Sequence, residues 1–251
     1  MTHLLYILMN YLNNSLKKDT NYYIALSLAQ GISLFPNWTL EQTAEYCNVS
    51  VSTLNRFFRD IGFENFSRVK EIITHEEERK NILLDSTSIN NITNVIHKTL
   101  ENIKMIDLSV FAAVADYIKK SNKIIFFAYG NNINFTLKAQ VELMVNGKFS
   151  LANIDTLRQL KTIEQATQGD LVICISRNGS SLQDNMLKNH IEKKGLHSIL
   201  ITQSKDCEPF DYFDIILNIG PNQGYDSFKY GIIYVLDLIC SEYKAREYFY
   251  K

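Results

Sequence analysis

Apolar residues in the first third of the chain recur at helical intervals. From about residue 123 onward they gather instead into short unbroken runs. Leu5, Leu8, Met9 and Leu12 mark a first helix, and the polar stretch Asn13 to Thr20 turns the chain. A second helix, with Ile24, Leu28 and Ala29 apolar, runs to about Gln30; Thr20 or Asn21 can cap it and Gly31 ends it. Pro36, Asn37 and Trp38 then read as a short linker. Residues 39–62, TLEQTAEYCNVSVSTLNRFFRDIG, predict two short helices joined by a tight turn. Thr39 and Gln42 have capping-box spacing, in which each side chain satisfies an otherwise orphan backbone N–H. Leu40, Ala44 and Cys47 form one apolar stripe. Asn48 stands at the reversal, where a residue that tolerates the left-handed region is needed. Ser50 is a natural N-cap, and Leu54, Phe57, Phe58 and Ile61 form the inward stripe of the second helix. Gly62 closes it, Phe63 and Phe66 cover its base, and a further helix runs from about Asn65 toward Arg79.

The stretch 81–94, rich in Asn, Ser and Thr, separates this helical part from a different pattern. Two helices, Ile92–Ile103 and Leu108–Lys119, precede strand candidates at Lys123–Tyr129, Phe149–Ala152, Leu171–Ser176, Ser198–Thr202 and Ile215–Ile219. The stronger runs are continuously apolar, as in parallel strands buried on both faces. Helices are expected between them at 132–145, about 155–167 and 180–193, with a last one from about Asp226 to Glu247. The expected fold is an all-α helix-turn-helix domain at 1–80, a linker at 81–91, and at 92–251 a doubly wound α/β domain with a five-stranded parallel sheet in flavodoxin-like order 2-1-3-4-5.

Two places in this plan carry chemistry. In a helix-turn-helix the second helix enters the major groove of double-stranded DNA and its first turns reach base edges. Here that surface is Ser50, Ser52, Thr53, Asn55, Arg56 and Arg59, which are hydroxyls, an amide and two guanidiniums. The bland alternative is an ordinary αα-corner. The second place is the crevice outside the ends of the first and third strands, where the winding of such a sheet reverses. Gly130, Asn131 and Asn132 follow the first strand; Ser176, Arg177, Asn178, Gly179, Ser180 and Ser181 follow the third. Both loops are expected to open helices, and the second ends at a helix N-terminus, whose free N–H groups favour an anion such as phosphate. The competing reading is that any β-to-α turn prefers Ser, Asn and Gly.

Composition changes the picture little. At 251 residues the chain has room for two modest domains, and its formal net charge of −1 offers no global basic field for nucleic acid. The local supply near the second helix is Arg56, Arg59, Arg68 and Lys70, interleaved with Asp60, Glu64 and Glu71. Four scattered cysteines, with no C-x-x-C, read as small hydrophobes in a reducing compartment, and five dispersed histidines share no metal-ligand spacing. No cofactor or metal is expected. No apolar run reaches membrane-spanning length and the N-terminus is not a signal peptide, so the expected location is the cytoplasm.

These residues resemble RpiR-type bacterial transcriptional regulators over nearly the whole chain. VSVSTLNRFFRDIGFENFSRVK looks like that family's helix-turn-helix, and the part from about Ile92 looks like a SIS (sugar isomerase) domain. The resemblance implies a regulator that binds an operator as a homodimer or tetramer and senses a phosphorylated sugar, near genes of carbohydrate use. Ser176, Gly179 and Ser181 match the SIS phosphate loop and Gly130 matches the glycine of the first loop. Asn132 stands where Ser is usual, Asn178 replaces the second Ser, Ser180 takes a position often acidic, and Arg177 adds a charge. Such departures imply either a different phosphosugar or a SIS domain kept only for dimerisation. A phosphosugar isomerase is the remaining alternative; its candidate bases are His97, Glu142, His190 and Glu208, none in the two crevice loops.

Overall fold

Two units, Met1–Asp85 and Ser86–Lys251, close around separate cores. The computed structural model describes residues 2–71, 89–128, 130–153, 156–179, 182, 185–221 and 225–248. The first unit is helical: α1 (Thr2–Asn14), α2 (Thr20–Gln30), a 3-10 turn (Phe35–Asn37), α3 (Leu40–Tyr46), α4 (Val51–Asp60) and a helical segment at 66–71. Leu4, Leu8, Ile24, Leu28, Phe35, Leu54, Phe57 and Phe58 are fully buried together. Burying each such side chain is worth roughly 1.5–3 kcal/mol, which is what holds helices this short.

Three expectations are corrected in this unit. The N-cap of α2 is Asp19, not Thr20 or Asn21: its carboxylate accepts from Tyr22 N–H at 2.9 Å. Asn21 instead reaches Asp60 at the end of α4, 3.3 Å away. Pro36 lies within a 3-10 turn, not an open linker, because Phe35 is drawn into the core and proline suits the first turn of a helix. Lys70 does not flank the outer face of α4. Its ammonium donates to the carbonyls of Phe35 and Pro36, at 2.7 and 2.5 Å, and lies over the rings of Phe35 and Phe66.

The second unit runs α5 (Ile89–Lys104), α6 (Leu108–Lys120), β1 (Ile124–Ala128), α7 (Ile133–Val145), β2 (Ser150–Leu151), α8 (Thr156–Glu164), β3 (Leu171–Ile175), α9 (Asn185–Lys194), β4 (His197–Thr202), β5 (Ile215–Asn218) and α10 (Tyr225–Tyr248). The five strands are all parallel in the order β2-β1-β3-β4-β5. Every residue of β1 and β3 is buried, which is why both read as unbroken apolar runs. The helix α5 begins at Ile89, inside the stretch expected as linker; the rest of that linker, 81–88, lies outside the described residues. Helix α10 packs along α5, α6 and α7. Gly231 lets it come close to α5, since a Cβ there would lie 3.1 Å from Thr99 Cγ2. The loop leaving α6 is fastened by Lys148, whose buried ammonium donates to the carbonyls of Lys119 and Ser121; burial lowers its pKa.

Candidate sites: a recognition helix and a two-loop crevice

The turn between α3 and α4 is built by local hydrogen bonds that the sequence pattern implies. Both arms of the capping box form: Thr39 N–H donates to Gln42 Oε1 at 2.8 Å, and Gln42 N–H to Thr39 Oγ1 at 3.2 Å. Asn48 has φ 52°, the sole positive φ at a non-glycine among the described residues. The chain then turns back so that Val49 N–H reaches Ala44 O at 3.0 Å. Ala44 is buried, and its small side chain admits α4 against α3. Ser50 caps α4 through Thr53 N–H at 3.2 Å, and its hydroxyl also lies 2.9 Å from those of Ser52 and Thr53. Thr43, fully buried, donates to Thr39 O at 2.7 Å; it belongs to the inner face of α3 and was hidden by its polarity.

Leu54, Phe57 and Phe58 bury the inner side of α4 completely. Ser50, Ser52, Arg56 and Arg59 are exposed on the other side, with Thr53 and Asn55 half-buried. Among the described residues neither Arg56 nor Arg59 has a carboxylate within ion-pair range, whereas Arg68 is held by Glu71 at 2.9 Å. The ten residues of α4 span about 15 Å. An exposed helix of that length, donor-rich at its start, is able to lie in a major groove with hydroxyls and guanidiniums toward base edges and phosphates.

In the second unit, β1 and β3 are neighbours and their last residues, Ala128 and Ile175, are in register. The two loops therefore leave the sheet side by side at the switch point. Gly130, with φ 57°, opens a 3-10 turn through Asn131 to Asn132 that runs straight into α7. Asn132 is the N-cap but makes no side-chain cap bond, and its Oδ1 is buried with no hydrogen-bond partner. In the second loop Ser176 is buried, and its N–H bonds to Ile201 O at 3.1 Å. The Arg177 carbonyl accepts from Gln203 N–H at 2.8 Å and from Thr202 Oγ1 at 3.2 Å. Asn178 is exposed, and Gly179, with φ 73°, lies against Phe210.

Ser180 and Ser181 lie outside the described residues. The helix expected from 180 is a correction: α9 starts at Asn185. Leu182 is buried in the core, its N–H bonded to Gly179 O at 2.8 Å. The helix N-terminus expected at the end of the second loop is thus displaced to Asn185, while the first loop opens α7 as expected.

Three buried polar side chains behind the crevice escaped the sequence reading. Gln203 and Ser227 exchange hydrogen bonds at 3.3 Å and tie the end of β4 to the start of α10. Gln159 bonds to the backbone at the end of β1. The one signal for it was spacing: Gln159 and Ile163 lie four apart on the inward side of α8, so an amide stands where an apolar residue is the rule. Of the bases weighed for an isomerase, Glu142 pairs with Lys138 and His190 lies 3.7 Å from Glu164, both on helices, while Glu208 is in the 3-10 turn after β4 and His97 is exposed on α5. Among the described residues no group of His, Cys, Asp and Glu could hold a metal ion, and no helix is long and apolar enough to cross a membrane.

Fold and site together define a helix-turn-helix unit followed by a doubly wound sheet with a crevice at its switch point. Solved structures that include the sugar isomerase domain of an RpiR transcription factor share this fold. No family model matches the chain. It is 27% identical over 238 residues to an uncharacterised HTH-type transcriptional regulator of Haemophilus influenzae, covering 86% of this chain and 82% of the relative. The Vibrio vulnificus NanR protein complexed with ManNAc-6P has the same fold, with TM-score 0.58 at 16% identity over 98% of this chain and 92% of that one. The sugar isomerase domain of an RpiR transcription factor from Sphaerobacter thermophilus matches with TM-score 0.51 at 19% identity, covering 63% of this chain and 88% of that one.

Proposed function

We propose that the chain is a cytoplasmic DNA-binding transcriptional regulator whose SIS domain senses a phosphorylated sugar and thereby changes operator binding. The observation that carries the DNA half is the outer side of α4, where Arg56 and Arg59 lie exposed beside Ser52 on a helix whose opposite side is fully buried. The sensing half is supported by Asn132, whose buried, unpartnered oxygen at the switch point suits a sugar hydroxyl. The relative named as an HTH-type regulator and the sugar-phosphate complex of NanR point the same way. Ser50, Ser52, Thr53, Asn55, Arg56 and Arg59 would face DNA. Gly130, Asn131, Asn132 and Ser176 to Ser181 would surround the effector. Two copies would present two recognition helices to a two-fold operator about 34–36 Å apart.

The effector can alter DNA affinity only by its differential affinity for two arrangements of the protein. Selection of bound sequences from random duplex DNA should yield a two-fold operator, and ManNAc-6P or another sugar phosphate should then shift its affinity. Failure to enrich any sequence would remove the DNA half of the reading. An operator whose binding ignores a full sugar-phosphate panel would leave the second unit a dimeriser. The placement of Glu142 and His190 on helices, outside the two crevice loops, favours a regulator over an isomerase. Turnover of a sugar phosphate by the purified protein would reverse that preference.

A further inference from the structure

The sheet edge beside the crevice is finished by a side chain. β2 pairs with β1 only at Ile124↔Ser150 and Ile125↔Leu151. Ile124 N–H donates to Phe149 O at 3.0 Å, so Ile124, and every second residue after it, turns its N–H and C=O toward β2. At Ala128 the β2 strand has already ended, and a buried peptide would be left without partners on that side. Gln159, 1% exposed, supplies them. Its Oε1 accepts Ala128 N–H at 2.8 Å, and its Nε2 donates to Ala128 O at 3.0 Å and to Asn153 O at 2.9 Å. Both amide hydrogens and the carbonyl are used, so the side chain acts as one more rung of the ladder.

Position makes this rung matter for the ligand. Ala128 lies two residues before Gly130, and across the sheet it is in register with Ile175, the residue before Ser176. One side chain therefore anchors the stem of the first loop directly, at the register position that faces the stem of the second. We propose that Gln159 is the positioning residue of the anion crevice: it holds the two loop stems at the separation a sugar phosphate needs, without touching the ligand. This rests on the crevice reading given above.

The test uses the full chain, with ManNAc-6P and a sugar-phosphate panel as probes, titrated calorimetrically, and with operator affinity and thermal melting measured beside it. Gln159→Met keeps the length and loses all three bonds. It should weaken sugar-phosphate binding at least tenfold and leave ligand-free operator affinity within twofold. Gln159→Glu supplies a second, internal readout. Ionised, it sets a carboxylate against two carbonyl oxygens; protonated, it regains an acceptor and one donor, and burial favours that neutral form. The wild-type-to-variant affinity ratio should therefore shrink at least threefold between pH 8 and pH 5.5, a change that loss of packing alone would not produce. Binding by Gln159→Met within twofold of wild type, or a ratio flat with pH, overturns the assignment. If the wild type binds no member of the panel, the crevice reading itself fails and the assignment falls with it.

Discussion

Gly179 faces the Phe210 ring so closely that a Cβ on it would lie 1.9 Å from the ring's Cζ. The glycine also has φ 73°, a conformation that L side chains resist. Phe210 is buried in the core under the crevice and cannot simply swing away. Sequence pattern placed Gly179 in the loop after the third strand; the Phe210 ring against it was not legible there.

Gly179→Ala should accordingly destabilise the second unit by about 1–2 kcal/mol for the left-handed backbone, plus about 1–3 kcal/mol for overpacking. Sugar-phosphate affinity should fall with it. Adding Phe210→Leu should restore part of the loss, giving a coupling that a denaturation cycle over the two single variants and the double variant can read. Strict additivity would mean the contact is not what constrains the glycine.

In the helix-turn-helix, Asn48 is held at φ 52°, the one non-glycine with a positive φ among the described residues. Asn48→Gly should fold as well as the wild type, while Asn48→Val should cost about 1–2 kcal/mol because a β-branched residue is held at positive φ. Equilibrium urea unfolding of the two variants checks it, and equal midpoints would dismiss the turn as the origin of the Asn.

How far these features could be read in advance depended on whether they were local. Capping box, turn Asn, cap Ser and inward stripe lie within a few residues of one another, so Thr39 to Ile61 was legible almost residue by residue. The central strands were legible because parallel strands buried on both faces leave continuous apolar runs, while their order came from the doubly wound fold pattern. Partners distant in sequence were not. Lys70 looks like a basic surface residue until it meets carbonyls 34 and 35 positions away. Gln159 serves a backbone 31 positions off. The start of α9 was misplaced because the chain first buries Leu182, which no capping pattern reveals.

Arg56 and Arg59 lie on the exposed side of α4, away from its packed core, so removing either guanidinium should not disturb the fold. A bidentate arginine–guanine contact is worth about 1–3 kcal/mol of discrimination. Arg56→Ala should therefore lower operator affinity by roughly tenfold or more, with the melting temperature unchanged. A phosphate-contacting arginine would instead weaken all sequences alike and reduce the salt dependence of binding. Comparing gel-shift affinities on the operator and on a scrambled duplex distinguishes the two roles. Unchanged affinity in both Arg56→Ala and Arg59→Ala would remove α4 as the DNA-reading element.

The buried thiols make an alkaline prediction. Burial pushes the Cys47 thiol up to about 11 and the Cys240 thiol up to about 12, from an ordinary value of 9.0, and raises Cys174 well above it. The unfolded chain therefore sheds these protons near pH 9 while the folded protein keeps them. Their contribution to stability is intact below that pH and is lost as pH climbs through the folded values. Burial of Tyr212 adds to the same trend. Lys148, whose pKa is lowered, works in the opposite sense, because its buried charge is relieved as pH rises. With several acids against one base, the melting temperature should be flat from pH 7 to about 8.5 and fall steeply above pH 9. Cys47→Ala and Cys240→Ala should each flatten that fall, whatever their effect at neutral pH. In the native protein, half-buried Cys207 should react with a thiol reagent ahead of the three buried cysteines, since access as well as ionisation sets the rate. Identical alkaline slopes in wild type and both alanine variants would show that the thiols are not what makes the protein labile there.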